Sequence, residues 1–153
     1  MHIDFICTGN ICRSPMAEVI IRDKIEAAGL AGEVEVTSAG MGGWHVGQGA
    51  DKRALEELRK AGYDGATHIA SQIGPEDLAA DLIVALDTGH RSELIASGAD
   101  AEKVVLLRDF DPAAGEDASV ADPYYGGMEG FRTTREQIEA AAPGIVEWVR
   151  SQL

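Results

Sequence analysis

Two cysteines in 153 residues are too few for a disulfide framework. They stand in one short stretch, as Cys7 and Cys12. No further cysteine follows and no histidine lies at metal-ligand spacing from them, so neither a metal nor any other cofactor is expected. Basic side chains are scarce as well: 13 Lys and Arg against 26 Asp and Glu, a formal net charge of −13. This balance argues against nucleic acid or an anionic membrane as a partner. No apolar run approaches the roughly 20 residues of a membrane helix. Met1-His2-Ile3 leads straight into a strand pattern and leaves no room for a signal peptide. The chain is therefore expected to be cytoplasmic and monomeric, with export by a route lacking a signal peptide left open. Aromatic residues make up only 5%, so those that fall in loops stand out.

What is present is enough apolar material, 45% of the residues, for one core and one domain over residues 1–153. Ile3-Asp4-Phe5-Ile6 reads as a buried strand. Ala17, Ile20, Ile21, Ile25 and Ala28 recur at helical spacing from Ser14 to Gly29. Val34-Glu35-Val36-Thr37 reads as a second strand, Asp51 to Ala61 as an amphipathic helix and Pro75 to Ala80 as a brief one, with a short extended piece near His68 between them. Leu82-Ile83-Val84-Ala85-Leu86 has the continuous apolar character of a central parallel strand. Thr88 to Ser97 reads as a helix, Val104 to Leu107 as the fourth strand and Met128 to Gln152 as the last helix, with Pro143 expected to kink or interrupt it. Residues 38–49 and 108–127 are long loops. Strands alternating with helices predict an α/β fold, a doubly wound four-stranded parallel sheet with helices on both faces and sites at the C-terminal strand ends.

The first such end carries Cys7-Thr8-Gly9-Asn10-Ile11-Cys12-Arg13-Ser14-Pro15. Ser14 is a favoured N-cap and Pro15 suits the first helical position, so the loop is expected to close onto a helix N-terminus. Successive backbone N–H groups and the helix dipole then make an anion site with a thiol at its base. Such surroundings favour the thiolate of Cys7, the nucleophilic form. Arg13 can return as a planar fork that holds two phosphate oxygens. Gly9 permits close backbone approach and Asn10 tolerates a left-handed conformation. The Ser14 hydroxyl can serve as cap and still donate to sulfur. These residue types suit displacement at phosphorus by sulfur. In the second long loop Asp122, stiffened by Pro123, is placed to protonate a leaving group; Asp109, Asp111, Glu116 and Asp117 read as solvated charges, and Asp87, at the end of the third strand, as a brace for the first loop. Trp44, His45, Tyr124 and Tyr125 are the unusual loop residues. His2, His90 and Trp148 read as surface or core.

Cys7 to Pro15, together with Asp122-Pro123-Tyr124-Tyr125-Gly126, resembles the active-site loop and the general-acid loop of the low molecular weight protein tyrosine phosphatases, closest to the compact bacterial members. The resemblance covers essentially the whole chain. It implies hydrolysis of protein phosphotyrosine without a cofactor, through a cysteinyl-phosphate on Cys7, with Arg13 and the amides of Thr8 to Ser14 binding phosphate and Asp122 as acid and then base. It further implies that Ile11, Trp44, His45, Tyr124 and Tyr125 form the walls of a deep phosphotyrosine slot. Asn10, Ser38 and His68 would hold the loop open, and Cys12 would form a reversible protective disulfide with Cys7; a plain packing role for Cys12 is weighted equally.

Four other readings compete. An arsenate reductase on this fold needs further cysteines, and none follows Cys12. A phosphoarginine phosphatase resembles the family too, but has Thr where this chain has Ile11 and lacks the paired tyrosines. A phosphocysteine carrier of a sugar-transport system would need neither Arg13 in a closed cradle nor a downstream Asp-Pro acid. A non-catalytic phosphopeptide-binding module would be expected to lose Cys7, Arg13 or Asp122, and all three are present.

Overall fold

The apolar runs pair with one another. In the computed structural model, which describes residues 1–153, β1 (His2–Cys7) leads into α1 (Arg13–Ala27), and β2 (Glu35–Gly40) lies parallel to β1. After α2 (Lys52–Lys60) and the one-turn α3 (Pro75–Leu78), β3 (Leu82–Ala85) joins the other side of β1. Then α4 (Thr88–Ala96) leads to β4 (Val104–Leu106), and α5 (Met128–Gln152) closes the chain. The sheet is wholly parallel, in the order β2-β1-β3-β4, as the alternation of elements predicts.

Strand alternation splits the core into two layers. Ile3, Phe5 and Cys7 of β1 pack with Ile20 and Ile21 of α1 and Phe131 and Ile138 of α5. Ile6, with Ile83 and Ala85 of β3, packs with Leu94 of α4 on the opposite face. Because β1 is joined through α1 to β2 on one side and pairs with β3 on the other, its C-terminal end is the switch point of the sheet, where a crevice opens. Cys7 is the last residue of that strand. No helix is long and apolar enough to cross a membrane.

Several boundaries differ from the sequence reading. The helix predicted from Ser14 begins one residue earlier, at Arg13, with Cys12 in the cap position and no side-chain cap. Ser14 is thus inside the first turn, its hydroxyl committed elsewhere. Leu86 and Leu107 lie just beyond their strands, Leu107 opening a 3-10 turn that runs to Phe110. The short extended piece is a single bridge of Gln72 to Gly40, four residues after His68. Pro143 does not interrupt α5. It lies on the exposed face of the helix while Ala141, Ala142 and Ile145 are buried, so the packing on its flanks holds the helical path across the missing hydrogen bond.

Candidate active site

The loop from Thr8 to Cys12 is bent around Asn10, the residue predicted to tolerate a left-handed backbone, whose φ is 59°. The N–H groups of Thr8, Gly9, Asn10, Ile11 and Cys12 donate to no other backbone group. Such free donors ahead of a helix N-terminus form a cradle for an anion. The end of β2 backs the loop closely: a Cβ on Gly40 would lie 3.0 Å from Thr8 O and from Gly9 C. Gly9 is needed for a neighbour, since a Cβ there would lie 3.0 Å from the His45 ring.

Asn10 is fully buried and uses both ends of its amide. Nδ2 donates to Ser14 Oγ and to Ser38 Oγ, both at 2.9 Å, and Oδ1 accepts from Ser71 N at 2.9 Å. His68 Nε2 lies 2.8 Å from Asn10 O. Asn10, Ser38 and His68 are therefore brought together. Two members of the same network carried no signal in the sequence: Ser71, and Glu18, whose Oε1 accepts from Ser38 Oγ at 2.7 Å. The network ends on the thiol, with Ser14 Oγ 2.9 Å from Cys7 Sγ.

Arg13 is only 3% exposed. Nη1 donates to Asp87 Oδ2 and to Val120 O, each at 2.9 Å, and Nη2 donates to Thr8 Oγ1 at 3.2 Å. Asp122 Oδ2 lies 3.7 Å from Nη2. Asp87, read from the sequence as a brace, is the buried cation's partner and caps α4 through its bond from His90 N. His90, read from sequence as surface or core, sits at the site itself. Its Nε2 is 2.8 Å from Thr8 Oγ1. Its Nδ1 is 3.1 Å from Asp87 Oδ1 but off the line of a hydrogen bond. Burial outweighs Asp87 and pushes the His90 imidazole down to about 4, so the ring is neutral at pH 7. An Asp one residue before a helix with His three positions on was the available clue.

Cys7, Thr8, Gly9, Ile11, Cys12, Arg13, Trp44, His45, Asp122, Tyr124 and Tyr125 line one cleft of about 390 Å³. The aromatic residues expected as walls of the slot line this cleft and reach its open end, Trp44 being 72% and Tyr125 88% exposed. Tyr124 and Tyr125 meet edge to face, with centroids 5.1 Å apart. Both cysteines are free. Burial, then the negative charges around it, push the Cys12 thiol up to about 12.

This geometry coincides with a known family. The model of the low molecular weight phosphotyrosine protein phosphatases matches residues 2–153. A low molecular weight protein-tyrosine phosphatase A of Mycobacterium tuberculosis is 49% identical over 154 residues, covering 100% of this chain and 94% of the relative. Among solved structures, a protein tyrosine phosphatase from Entamoeba histolytica superposes with a TM-score of 0.92 at 31% identity, covering 100% and 99% of the two chains. The YwlE arginine phosphatase, in a form with a phosphorylated active-site serine, superposes at 0.86 and 31% identity, over 98% of this chain and 96% of its own. A match that runs the length of the chain, on a fold whose switch point carries the expected cradle, shows that this protein belongs to the low molecular weight phosphotyrosine protein phosphatase family.

Proposed function

We propose that the protein hydrolyses phosphotyrosine in proteins in two displacements at phosphorus, working as a single domain over residues 1–153. Cys7 Sγ attacks phosphorus as the P–O bond to the tyrosine breaks. Asp122 gives its proton to the departing phenolate oxygen. Asp122, now a carboxylate, takes a proton from water, whose oxygen attacks the cysteinyl-phosphate. The P–S bond breaks, phosphate leaves, and the thiolate and the Asp122 acid are restored. The loop amides and Arg13 meet the charge on the equatorial oxygens. Asp87 holds the guanidinium in place, and Ser14 faces the sulfur that must leave in the second step. Ile11, Trp44, His45 and the two tyrosines receive the ring.

One observation carries this reading. Cys7 Sγ lies at the base of a cradle of free amides, while Arg13 reaches Thr8 of that cradle and comes within 3.7 Å of Asp122 from the opposite loop. A nucleophile, an anion clamp and an acid thus border one cleft.

The likeness to an arginine phosphatase favours a second substrate, phosphoarginine, on the same machinery. Ile11 and the paired tyrosines give the cleft an apolar rim suited to an aromatic ring. The test is metal-free hydrolysis of phosphotyrosine and phosphoarginine peptides by wild type, Cys7→Ser and Ile11→Thr. Activity on phosphotyrosine, none in Cys7→Ser, and a shift toward phosphoarginine in Ile11→Thr are expected. Turnover by Cys7→Ser would sink the mechanism. A wild-type preference for phosphoarginine would overturn the substrate while leaving the mechanism.

A further inference from the structure

Asp122 stands on a loop with little to hold it. Between Ala121 and Gly127 only Pro123 is buried. Within this stretch Asp122 Oδ1 accepts from Tyr124 N at 3.0 Å and Gly126 N donates to Pro123 O at 3.1 Å, both local bonds. Gly127 O accepts from Gly130 N of α5 at 3.1 Å, and Asp122 Oδ2 lies 3.7 Å from Arg13 Nη2; the hydrogen bonds that tie residues 121–126 to the body of the fold come from one side chain, Arg53. Its Nη2 donates to Tyr124 O and its Nη1 to Gly126 O, each at 3.0 Å.

Arg53 is itself fixed on three sides. Nε and Nη2 donate to Asp51 Oδ1 and Oδ2, each at 3.0 Å, a fork-to-fork pair. The same Asp51 caps α2 through Arg53 N at 2.8 Å. The guanidinium plane lies over the fully buried Phe131 ring, 4.6 Å from its centroid, with Tyr124 at 5.5 Å. Asp51 N in turn donates to Ile11 O at 2.8 Å, so the element that holds the acid loop also touches the phosphate loop. One continuous path runs from Ile11 through Asp51 and Arg53 to the backbone on either side of Tyr125.

We propose that Arg53 is the positioning residue for Asp122, registering the acid loop against the phosphate loop so that the carboxyl proton meets the leaving oxygen. This rests on the proposed acid role of Asp122. A planar fork is required, because two donors face a carboxylate and two face carbonyls in one plane; the ammonium of Lys, a point charge, cannot span both sets. Arg53 does not line the cleft, and its effect is confined to the step that needs the proton.

That confinement gives the test. The kcat/KM of wild type, Arg53→Met, Arg53→Lys, Asp51→Asn and Asp122→Asn is measured on aryl phosphates whose phenols run from nitrophenol to unsubstituted phenol. Met keeps apolar cover over Phe131, and Asn keeps the cap of α2, so neither removes packing that the fold needs. Wild type is expected to depend weakly on leaving-group acidity and Asp122→Asn steeply, because an unprotonated phenolate leaves slowly. Arg53→Met is expected to follow Asp122→Asn, losing at least about tenfold more on phenyl phosphate than on nitrophenyl phosphate, since misplacement by about an ångström costs on the order of a hundredfold. Arg53→Lys should fail to rescue, and Asp51→Asn should shift the slope in the same direction by less. Equal losses on every substrate, or none, in Arg53→Met with a steep Asp122→Asn would overturn the positioning role alone. A flat Asp122→Asn would overturn the acid role, and the inference with it.

Discussion

Asn10→Ala removes more from this protein than the size of the side chain suggests. The amide makes three hydrogen bonds from a fully buried position, to Ser14, Ser38 and Ser71. Ser14 and Ser38 lose a donor but retain Cys7 and Glu18 as partners. Ser71 N–H loses its acceptor in a half-buried place. At about 1 kcal/mol per bond, and somewhat more where a donor is left unpaired, this sums to about 3 kcal/mol. The left-handed backbone at φ 59° adds about 1 kcal/mol for a residue with a Cβ and no local polar group. The total, about 4 kcal/mol, is a large share of the roughly 10 kcal/mol that stabilises a domain. Urea titration followed by tryptophan fluorescence should show the midpoint lowered by about 2 M, taking a slope of about 2 kcal/mol per molar. Asn10→Gly separates the two contributions, because glycine accepts positive φ; its midpoint should lie above that of the Ala variant by about 0.5 M, the equivalent of about 1 kcal/mol. A midpoint for Asn10→Ala within about 0.3 M of wild type, or a Gly variant less stable than the Ala one, would refute the reasoning.

Other outcomes follow from the buried titratable groups and from the charge of the chain. His90 is held neutral down to about 4, whereas in the unfolded chain it takes a proton near 6.5. The unfolded state therefore binds the extra proton between those values, and stability falls by up to about 3 kcal/mol as pH drops through that window; His90→Gln should flatten the urea midpoint against pH there, and an unchanged slope would refute it. Asp4 is fully buried beside Asp77, and burial pushes its carboxyl up to about 9. The folded state then holds a proton that the unfolded state releases above about 4, so stability declines as pH rises toward 9; Asp4→Asn, mimicking the protonated acid, should raise the urea midpoint at pH 8 relative to pH 4. If the disulfide implied by the resemblance closes between Cys12 and peroxide-oxidised Cys7, the Cys12 thiol, pushed up to about 12, makes closure accelerate about tenfold per pH unit between 7 and 9, read by alkylation and mass spectrometry; a rate independent of pH, or no disulfide, would refute the redox role. At a net charge of −13, kcat/KM on phosphotyrosine peptides with several flanking acids should rise with added salt, as repulsion beyond about 10 Å is screened; a fall would show that local cations govern the approach.

The fold was legible because its signals are local. Continuous apolar runs such as Leu82 to Leu86 declare strands buried on both faces, and the spacing of Ala17, Ile20 and Ile21 declares the helix between two of them. Boundaries were less legible. Ser14 has the chemistry of a cap, but a sulfur 2.9 Å away and the Asn10 amide claim its hydroxyl, and tertiary partners prevail over a local preference worth about 1 kcal/mol. Pro143 has the chemistry of a helix breaker, but its ring faces water and its neighbours are locked in the core.

The site divides along the same line. That Cys7, Arg13 and Asp122 would meet at one cleft was readable, because each residue type in its local setting suggests a place there: thiol before a helix, fork across a loop, acid stiffened by proline. Of what holds them, Asn10, Ser38, His68 and Asp87 were expected, whereas Ser71, Glu18, His90 and Arg53 were hidden, because holding is done across the chain. Asp87 reaches Arg13 over 74 positions, Arg53 reaches Tyr124 over 71, and His90 reaches Thr8 over 82. The Asp87–His90 spacing was a slight clue; Arg53 has no neighbourhood in sequence that distinguishes it from an ordinary surface cation. A buried guanidinium must find a carboxylate and an exposed loop must find an anchor, so the presence of such partners was foreseeable from Arg13 and from the loop of Asp122; which residues they are is decided only where the strands end together. The supports are therefore where sequence and structure diverge most, and substitutions at Asp87, His90 and Arg53 should alter the chemistry of side chains they leave in place.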